Sequence, residues 1–343
     1  SGLEKQLQVV DGVPTLVEQA ISLAQSGQRR GRTGRTGPGR YIDHCPVAKT
    51  KRSQWPVPEI LRSRIDQLVL KLAWAGLYAE TLPWYHEVPQ EAFREARRLL
   101  TTLGAMTPEG GITSIGRQMA RIPVSPEYGR MIVEGRSREC LDEVIVLASI
   151  MEAGGIIDKN SDLSGDDNIS LNLHLWEQSS YIDSPVEWAK LGIDVSALQR
   201  ARRIWRHIRH ALDLPVHWSL TCKDERSIKL AVVAGLVDHL YQVNVGKKNR
   251  FFLKGLQKGD IRRQSYESFC RLTEDSLVVG LPKNIGNKQL LDFVLQVDPG
   301  DLEEVAPQLF STRVEELRYD PSEDRVWGKV YRGFNKVSMA PPR

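Results

Sequence analysis

The chain has 343 residues, of which 41% are hydrophobic, and 47 basic against 43 acidic residues give a net charge of +4. That length exceeds one ordinary core and predicts two or three domains. No apolar run approaches a bilayer span, Ser1-Gly2-Leu3-Glu4-Lys5 is not a secretory signal, and the four cysteines (Cys45, Cys140, Cys222, Cys270) form no C-x-x-C pair, which argues against a zinc site or a disulfide framework and suits a reducing, cytoplasmic setting.

Residues 3–22 read as a β-hairpin. Leu7, Val9 and Val10 lead into Asp11-Gly12, a favoured pair for a tight turn, and Val13 to Ile21 returns. Read from these residues alone, it is an ordinary surface hairpin.

The stretch Gln28 to Arg40, Q-R-R-G-R-T-G-R-T-G-P-G-R, sets five arginines among four glycines. Arginine offers a planar fork of donors that fits phosphate oxygens, and glycine lets backbone amides come close to an anion. Most such runs are solvated basic loops or nucleic-acid-binding tracts. Here Gln28, Arg32 and Arg35 fall at i, i+4 and i+7, so a helix starting near Ala24 would put all three on one face. Between residues 29 and 52, eight basic residues meet only Asp43, a local excess that points to phosphates.

From Tyr41 to Pro58 the chain is rich in Pro, Lys and Arg without periodicity and reads as a linker. Glu59 to Leu77 carries a helical stripe (Ile60, Ile65, Leu68, Val69, Leu72, Ala73) ended at Gly76. A second helix is expected from about Pro89 to Leu103, stopped by Gly104. A turn at Glu109-Gly110-Gly111 and a short helix through Ala120 follow, the outline of a winged helix. Residues 125–235 read as a helical bundle, with helices at Tyr128–Arg136, Cys140–Glu152, Leu171–Ile182, Ser196–Leu212 and Glu225–Leu236. Within it, Asp158 to Asp162 mimics the start of a calcium loop, but Leu163 and Ile169 stand at the positions needing Gly and Glu, so a solvated acidic loop is expected. His207 and His210 lack an apparent third ligand, and no metal site is expected. After Val237 the period becomes two. Short strands at Leu240–Val245, Arg250–Leu253, Tyr266–Leu272, Leu277–Leu281 and Leu290–Val297 suggest a small barrel, and Val314 to Lys329 offers one more hairpin around residues 321–324. Basic turns at Lys247, Lys248 and Arg250, and at Arg262 and Arg263, are equally readable as solubilising charge or as phosphate contacts.

Three stretches carry a family resemblance. Residues 28–40 resemble the sixth motif of the DEAH-box helicases. L-L-T-T-L-G-A-M-T-P-E-G-G-I-T-S-I-G-R-Q-M-A-R-I-P-V-S-P (99–126) is similar to their helicase-associated segment. F-V-L-Q-V-D-P-G-D-L-E-E-V-A-P-Q-L-F (293–310) is similar to the end of their OB fold, with Asp301 where the family often has Trp, a change expected to cost a packing contact. The order matches as well, and the dense Leu/Ala helices and the tail look closer to the bacterial branch. The resemblance implies a mainly α fold with a β part: the end of a second RecA-like lobe (1–45), a linker and winged helix (46–123), a helical ratchet domain (124–236), and an OB-fold barrel with a C-terminal hairpin (237–335).

It also implies roles. Gln28 would order the attacking water and the γ-phosphate, Arg32 and Arg35 would act as arginine fingers, and Gly31 and Gly34 would lie against the nucleotide. The Asp11-Gly12 hairpin would wedge against bases, and Lys247, Lys248, Arg250, Arg262 and Arg263 would grip the strand. The expected function is the C-terminal part of an ATP-dependent RNA helicase, a monomer without membrane attachment, acting on single-stranded RNA with DNA as the alternative. Neither G-x-x-x-x-G-K-[ST] nor D-E-x-H occurs. ATP and Mg²⁺ are therefore expected in the complete enzyme together with upstream lobes, and not in this chain alone. The rival readings are a non-catalytic nucleic-acid- or protein-binding module, and a DNA-directed regulator using the winged helix. The second is weakened because residues 89–103 balance Glu91 and Glu95 against Arg94, Arg97 and Arg98.

Overall fold

The computed structural model describes residues 2–10, 13–158, 161, 168–217, 224–246, 250–255, 263–264, 267–268, 276–285, 288–334 and 337–338. It is helix-rich with small sheets and divides into two units, residues 1–65 with 80–94, and residues 66–79 with 95–343.

In the first unit, β1 (Leu3–Val10) and β2 (Val13–Ala20) pair antiparallel from Leu3↔Ala20 to Val10↔Val13. The hairpin is therefore as expected, while Asp11 and Gly12 themselves lie outside the described residues. α1 follows at Leu23–Arg30. The stretch after it is more firmly held than a linker. It contains single helical turns at Lys49–Lys51 and Glu59–Leu61, and Arg52 is buried. Arg62 Nη1 donates to the Leu7 carbonyl at 2.9 Å. In the 80–94 segment, the Trp84 and Phe93 rings lie 6.4 Å apart.

The second unit begins with α2 (Asp66–Trp74), shorter than the apolar stripe suggested, and ended by Gly76 at φ +78°. α3 (Gln90–Thr102) ends at Gly104, φ +70°. A Met106↔Ile112 bridge closes around Gly110 and leads to α4 (Ser114–Met119), whose N-terminus is capped by Thr113 Oγ1 on the Gly116 N–H at 3.0 Å. The bundle then contains α5 (Pro126–Ser137), α6 (Leu141–Glu152), α7 (Asn168–Tyr181), α8 (Pro185–Lys190), α9 (Val195–Ala211) and α10 (Glu225–Leu236).

α6 is apolar on nearly every side, as a central helix must be. Val144, Ile145, Val146, Leu147, Ala148 and Ile150 are fully buried, and α5, α7, α9 and α10 pack around it. Glycines set two of these contacts. A Cβ on Gly135 would lie 2.9 Å from Val144 on α6, and one on Gly235 of α10 would lie 2.2 Å from Met131 Cγ and 2.4 Å from the Glu127 carbonyl oxygen on α5. Arg98 on α3 forms a two-pronged pair with Asp238, just past α10, at 2.5 and 2.9 Å.

A six-stranded sheet follows: β3 (Leu240–Gly246), β4 (Arg250–Gly255), β5 (Arg263–Gln264), β6 (Glu267–Ser268), β7 (Leu277–Ile285) and β8 (Lys288–Val297). Its order is β5-β4-β3-β7-β8-β6, antiparallel except for β6 beside β8. Tyr241, Val243, Val278, Leu291 and Val294 form its core. Among the described residues, no pairing joins the two outer strands.

α11 (Pro299–Val305) then docks through charge. Buried Asp301 pairs with Arg226 at 3.2 Å and Lys229 at 3.0 Å on α10, while Glu304 meets Arg226 and Arg138, both at 2.8 Å. The expected loss of a packing contact at Asp301 is therefore replaced by an ionic one. β9 (Phe310–Asp320), β10 (Arg325–Phe334) and β11 (Val337–Ser338) form a separate antiparallel sheet, with a register break beside Glu316 at φ +54°.

Candidate functional site

The arginine-glycine stretch stands on a locked helix start. Ser22 accepts from the Gln25 N–H, and the Gln25 side chain accepts from the Ser22 N–H at 2.8 Å, a reciprocal cap. Gln25 Nε2 reaches both oxygens of Glu4 on β1 at 2.8 Å. The next orphan donors of α1, the N–H groups of Leu23 and Ala24, donate to the carbonyls of Ser53 and Gln54 at 3.0 Å.

Below the helix, buried Ser26 meets the Tyr41 hydroxyl at 3.0 Å and donates to Asp43 at 3.3 Å. Asp43 pairs with Arg52 at 2.6 Å and accepts the Cys45 N–H at 3.0 Å. The Arg52 hydrogen bond, followed by that of the Cys45 amide, holds the Asp43 carboxyl below the usual carboxylate range. These contacts fix where α1 points and leave its far end to the solvent.

That far end differs from the sequence expectation. α1 stops at Arg30, so Gln28, Arg32 and Arg35 do not share one helical face. Gly31 caps the helix, one tighter turn carries the chain through Arg32 and Thr33, and Gly34 at φ +81° reverses it. Gly39 returns so closely that a Cβ there would lie 2.5 Å from the Gly34 nitrogen. The two glycines pinch the loop at a neck, with Arg32 just before it and Arg35-Thr36-Gly37-Pro38 at the tip. Gln28, Arg32 and Arg35 are all exposed, and among the described residues neither of these guanidiniums reaches a carboxylate. Two fixed positive charges that meet no carboxylate among the described residues, held on a closed loop, can accept an anion brought from outside the chain.

The other sequence-derived residues are placed less fully. Asp11, Gly12, Lys247, Lys248 and Arg262 lie outside the described residues. Arg250 opens β4 opposite Gly246, whereas Arg263 pairs with Lys254 near the other end of that strand. Four residues of strand, about 13 Å, separate those positions, so the two do not form one cluster. His207 and His210 are exposed on α9, and among the described residues no three His, Cys, Asp or Glu side chains gather as a metal site would require.

Residues 96–124 match the helicase-associated domain (HA2) family in its winged-helix part, and residues 125–203 match its ratchet-like part. Over 283 residues the chain is 24% identical to the ATP-dependent RNA helicase DHX33 of Drosophila melanogaster, covering 77% of this chain and 40% of that protein. Its fold is similar to that of the E. coli DExH-box NTPase HrpB, with a TM-score of 0.60 and 17% identity, covering all of this chain and 38% of HrpB. A second structure, the Escherichia coli DEAH/RHA helicase HrpB, gives 0.61 at 17% identity, covering 99% of this chain and 38% of that one.

Residues 96–203 carry the winged-helix and ratchet-like parts of the helicase-associated domain. The chain spans about two fifths of the length of DHX33 and of HrpB. The glycine-pinched loop holds the residues that resemble the sixth motif of DEAH-box helicases, and α4, α5 and α6 fall within the matched helicase-associated region. Composition could not show the neck. A Gly-x-x-x-x-Gly spacing bends as readily into an open loop, and only the backbone reveals Gly34 against Gly39.

Proposed function

We propose that this chain forms the C-terminal side of an ATP-dependent RNA helicase. In this reading Arg32 and Arg35 complete a nucleotide site whose phosphate-cradling loop and metal-holding carboxylates come from upstream lobes. The observation that carries it is the exposed, glycine-pinched loop with two guanidiniums that meet no carboxylate among the described residues. Its donor set fits phosphoryl oxygens, and supplies no carboxylate for a metal. Bound ATP with Mg²⁺ would supply the cleavable phosphoanhydride and a counter-charge for it. Arg32 and Arg35 would meet the charge developing on the transferred phosphoryl group, the exposed amide of Gln28 would orient the attacking water, and Gly31 and Gly34 would let the backbone approach.

The remaining parts would form the nucleic-acid side. The β1–β2 hairpin would guide or separate strands, and residues 46–123 and 124–236 would act as winged helix and ratchet. The sheet of residues 237–335 would close as an OB fold whose basic turns (Lys247, Lys248, Arg250, Arg262, Arg263) hold single-stranded RNA. The complete protein would work as a cytoplasmic monomer.

The test uses the complete enzyme with its upstream lobes. Arg32→Ala or Arg35→Ala should lower kcat for ATP by roughly 10²-fold or more, with little change in RNA affinity. Lysine should rescue poorly, because it keeps the charge but loses the bidentate fork. Weaker RNA binding with ATP turnover intact at saturating RNA would make the loop a nucleic-acid tract and overturn the reading.

A further inference from the structure

α9 is the most basic element of the described structure. Its 17 residues, VSALQRARRIWRHIRHA, hold five arginines, two histidines and no acid. The arginines fall into two sets. Arg202 and Arg209 are structural: Arg202 lies 4.7 Å over the Trp188 ring and donates to the Ser179 carbonyl at 2.7 Å. Arg209 lies 5.2 Å over Trp205, donates to the Pro215 carbonyl at 2.5 Å and pairs with Asp142. Arg200, Arg203 and Arg206 are exposed. Among the described residues, Arg200 donates to Ser196 Oγ at 3.2 Å and Arg206 to the Arg202 carbonyl at 3.3 Å, both weak contacts on the same helix.

At 100° per residue, Arg200, Arg203, Arg206, His207 and His210 fall within an arc of roughly 120° and a length of about 15 Å. The opposite arc buries Ala197, Leu198, Ala201, Trp205 and Ile208. Neighbouring acids are largely engaged elsewhere. Glu187 pairs with Lys190 at 2.7 Å, Asp142 with Arg209, and Asp194 caps the helix by accepting the Ala197 N–H at 2.9 Å.

We propose that this outer face of α9 is a phosphate-binding ridge for double-stranded RNA. The proposal rests on the RNA-helicase reading above and adds residues that it does not name. Three guanidiniums that form no ion pair among the described residues present forks on a rigid helix at intervals of about one helical turn, comparable to the spacing of phosphates along a strand. The ridge offers no indole or phenyl platform for bases: Trp176, Trp188 and Trp205 are all buried, and the rings it exposes are the smaller imidazoles of His207 and His210. Single strands are gripped by stacking as well as charge, whereas double-stranded RNA is held mainly through its backbone. A ridge dominated by charge, without an exposed Trp, Tyr or Phe ring on α9, therefore suits the duplex.

The test measures fluorescence anisotropy of this 343-residue chain with a blunt RNA duplex of about 16 base pairs and with a single strand of the same length, across a salt series. The variant Arg200→Gln/Arg203→Gln/Arg206→Gln should weaken duplex binding roughly tenfold and flatten log affinity against log salt by up to about 2.7, near 0.9 per phosphate contact. Single-strand affinity should stay within about twofold, a margin small against the salt effect. The triple lysine variant should retain the slope, because counterion release follows charge. All three arginines are exposed, and thermal melting of each variant checks the fold.

Failure of the unaltered chain to bind the duplex would overturn the proposal, as would an unchanged duplex slope in the glutamine variant. Equal loss for both RNAs would make α9 part of a single-strand path. Loss of binding to polyglutamate with duplex affinity intact would make it a protein-docking face. None of these results bears on ATP turnover in the Arg32 and Arg35 variants, so the two readings fail separately.

Discussion

Replacing Arg98 with methionine leaves Asp238 charged and without its main partner. Burial pushes the Asp238 carboxyl up, but the hydrogen bonds and charge of Arg98 more than offset this and hold it below the usual carboxylate range. The pair closes a contact across 140 residues of chain, with side-chain exposures of 31% for Arg98 and 11% for Asp238. Breaking a fully buried pair costs about 3–5 kcal/mol. With about a third of the guanidinium already in water, roughly 2–3 kcal/mol is the expected loss at pH 7.

The sign with pH follows from linkage. A depressed native pKa contributes stability above the unfolded value near 3.9, and that contribution disappears as pH falls through the native pKa. Without Arg98, burial is opposed mainly by the weaker charge effect of His239, the native pKa rises, and Asp238 takes up a proton as the solution is acidified. The stability gap between Arg98→Met and the parent should therefore narrow between about pH 7 and pH 4.5. Urea unfolding of the parent, Arg98→Met, Asp238→Asn and the double variant, followed by far-UV circular dichroism at both pH values, measures the coupling. Additive single effects, or a gap independent of pH, would refute the pairing argument.

Two further outcomes can be checked. Gly235→Ala should lower Tm by about 4–8 °C in calorimetry, from a loss of roughly 2 kcal/mol, because its Cβ would meet the Glu127 carbonyl, which no rotamer change can remove. Gly27→Ala in α1 is the control: nothing lies within 4 Å of its Cβ, so Tm should hold or rise, and a fall at Gly27 as large as at Gly235 would show that close packing is not the cause. Deleting Val10–Val13 in the complete enzyme should impair unwinding more than RNA-stimulated ATP hydrolysis, whereas equal loss of both would make the hairpin purely structural.

Elements marked by punctuation were readable in the sequence. Gly76, Gly104 and the Glu109-Gly110-Gly111 turn end or reverse the chain where expected, because each takes a positive φ or borders one that does. The bundle helices α5, α6, α7, α9 and α10 begin and end within a few residues of their periodic apolar stripes. α8 went unread although Ser184-Pro185 is a cap followed by proline at the first helical position; six residues are too few for periodicity to register. The stripe from Ile60 to Ile65 misled in the opposite direction, since apolar spacing alone does not distinguish one helical turn from a continuous helix. At the candidate site, residue types were legible and geometry was not. The i, i+4, i+7 pattern of Gln28, Arg32 and Arg35 suggested a helix face, but two glycines within seven residues favoured a turn. The ridge on α9 was visible as composition only. Which arginines face solvent depends on Trp188 and Trp205, and no local rule connects them.

Gly135 and Gly235 have a mechanical consequence for α5. Where helices meet through long side chains, a push on one is partly absorbed as rotamers yield. Here the approach on one side is limited by the main chain of α5 and on the other by a fully buried, stiff Val144. α10, α5 and α6 therefore form a stack in which rotamer changes can absorb less of a push passed from α10 toward α6. In a motor of the kind proposed here, low compliance in that stack would determine how much of each stroke arrives at the strand.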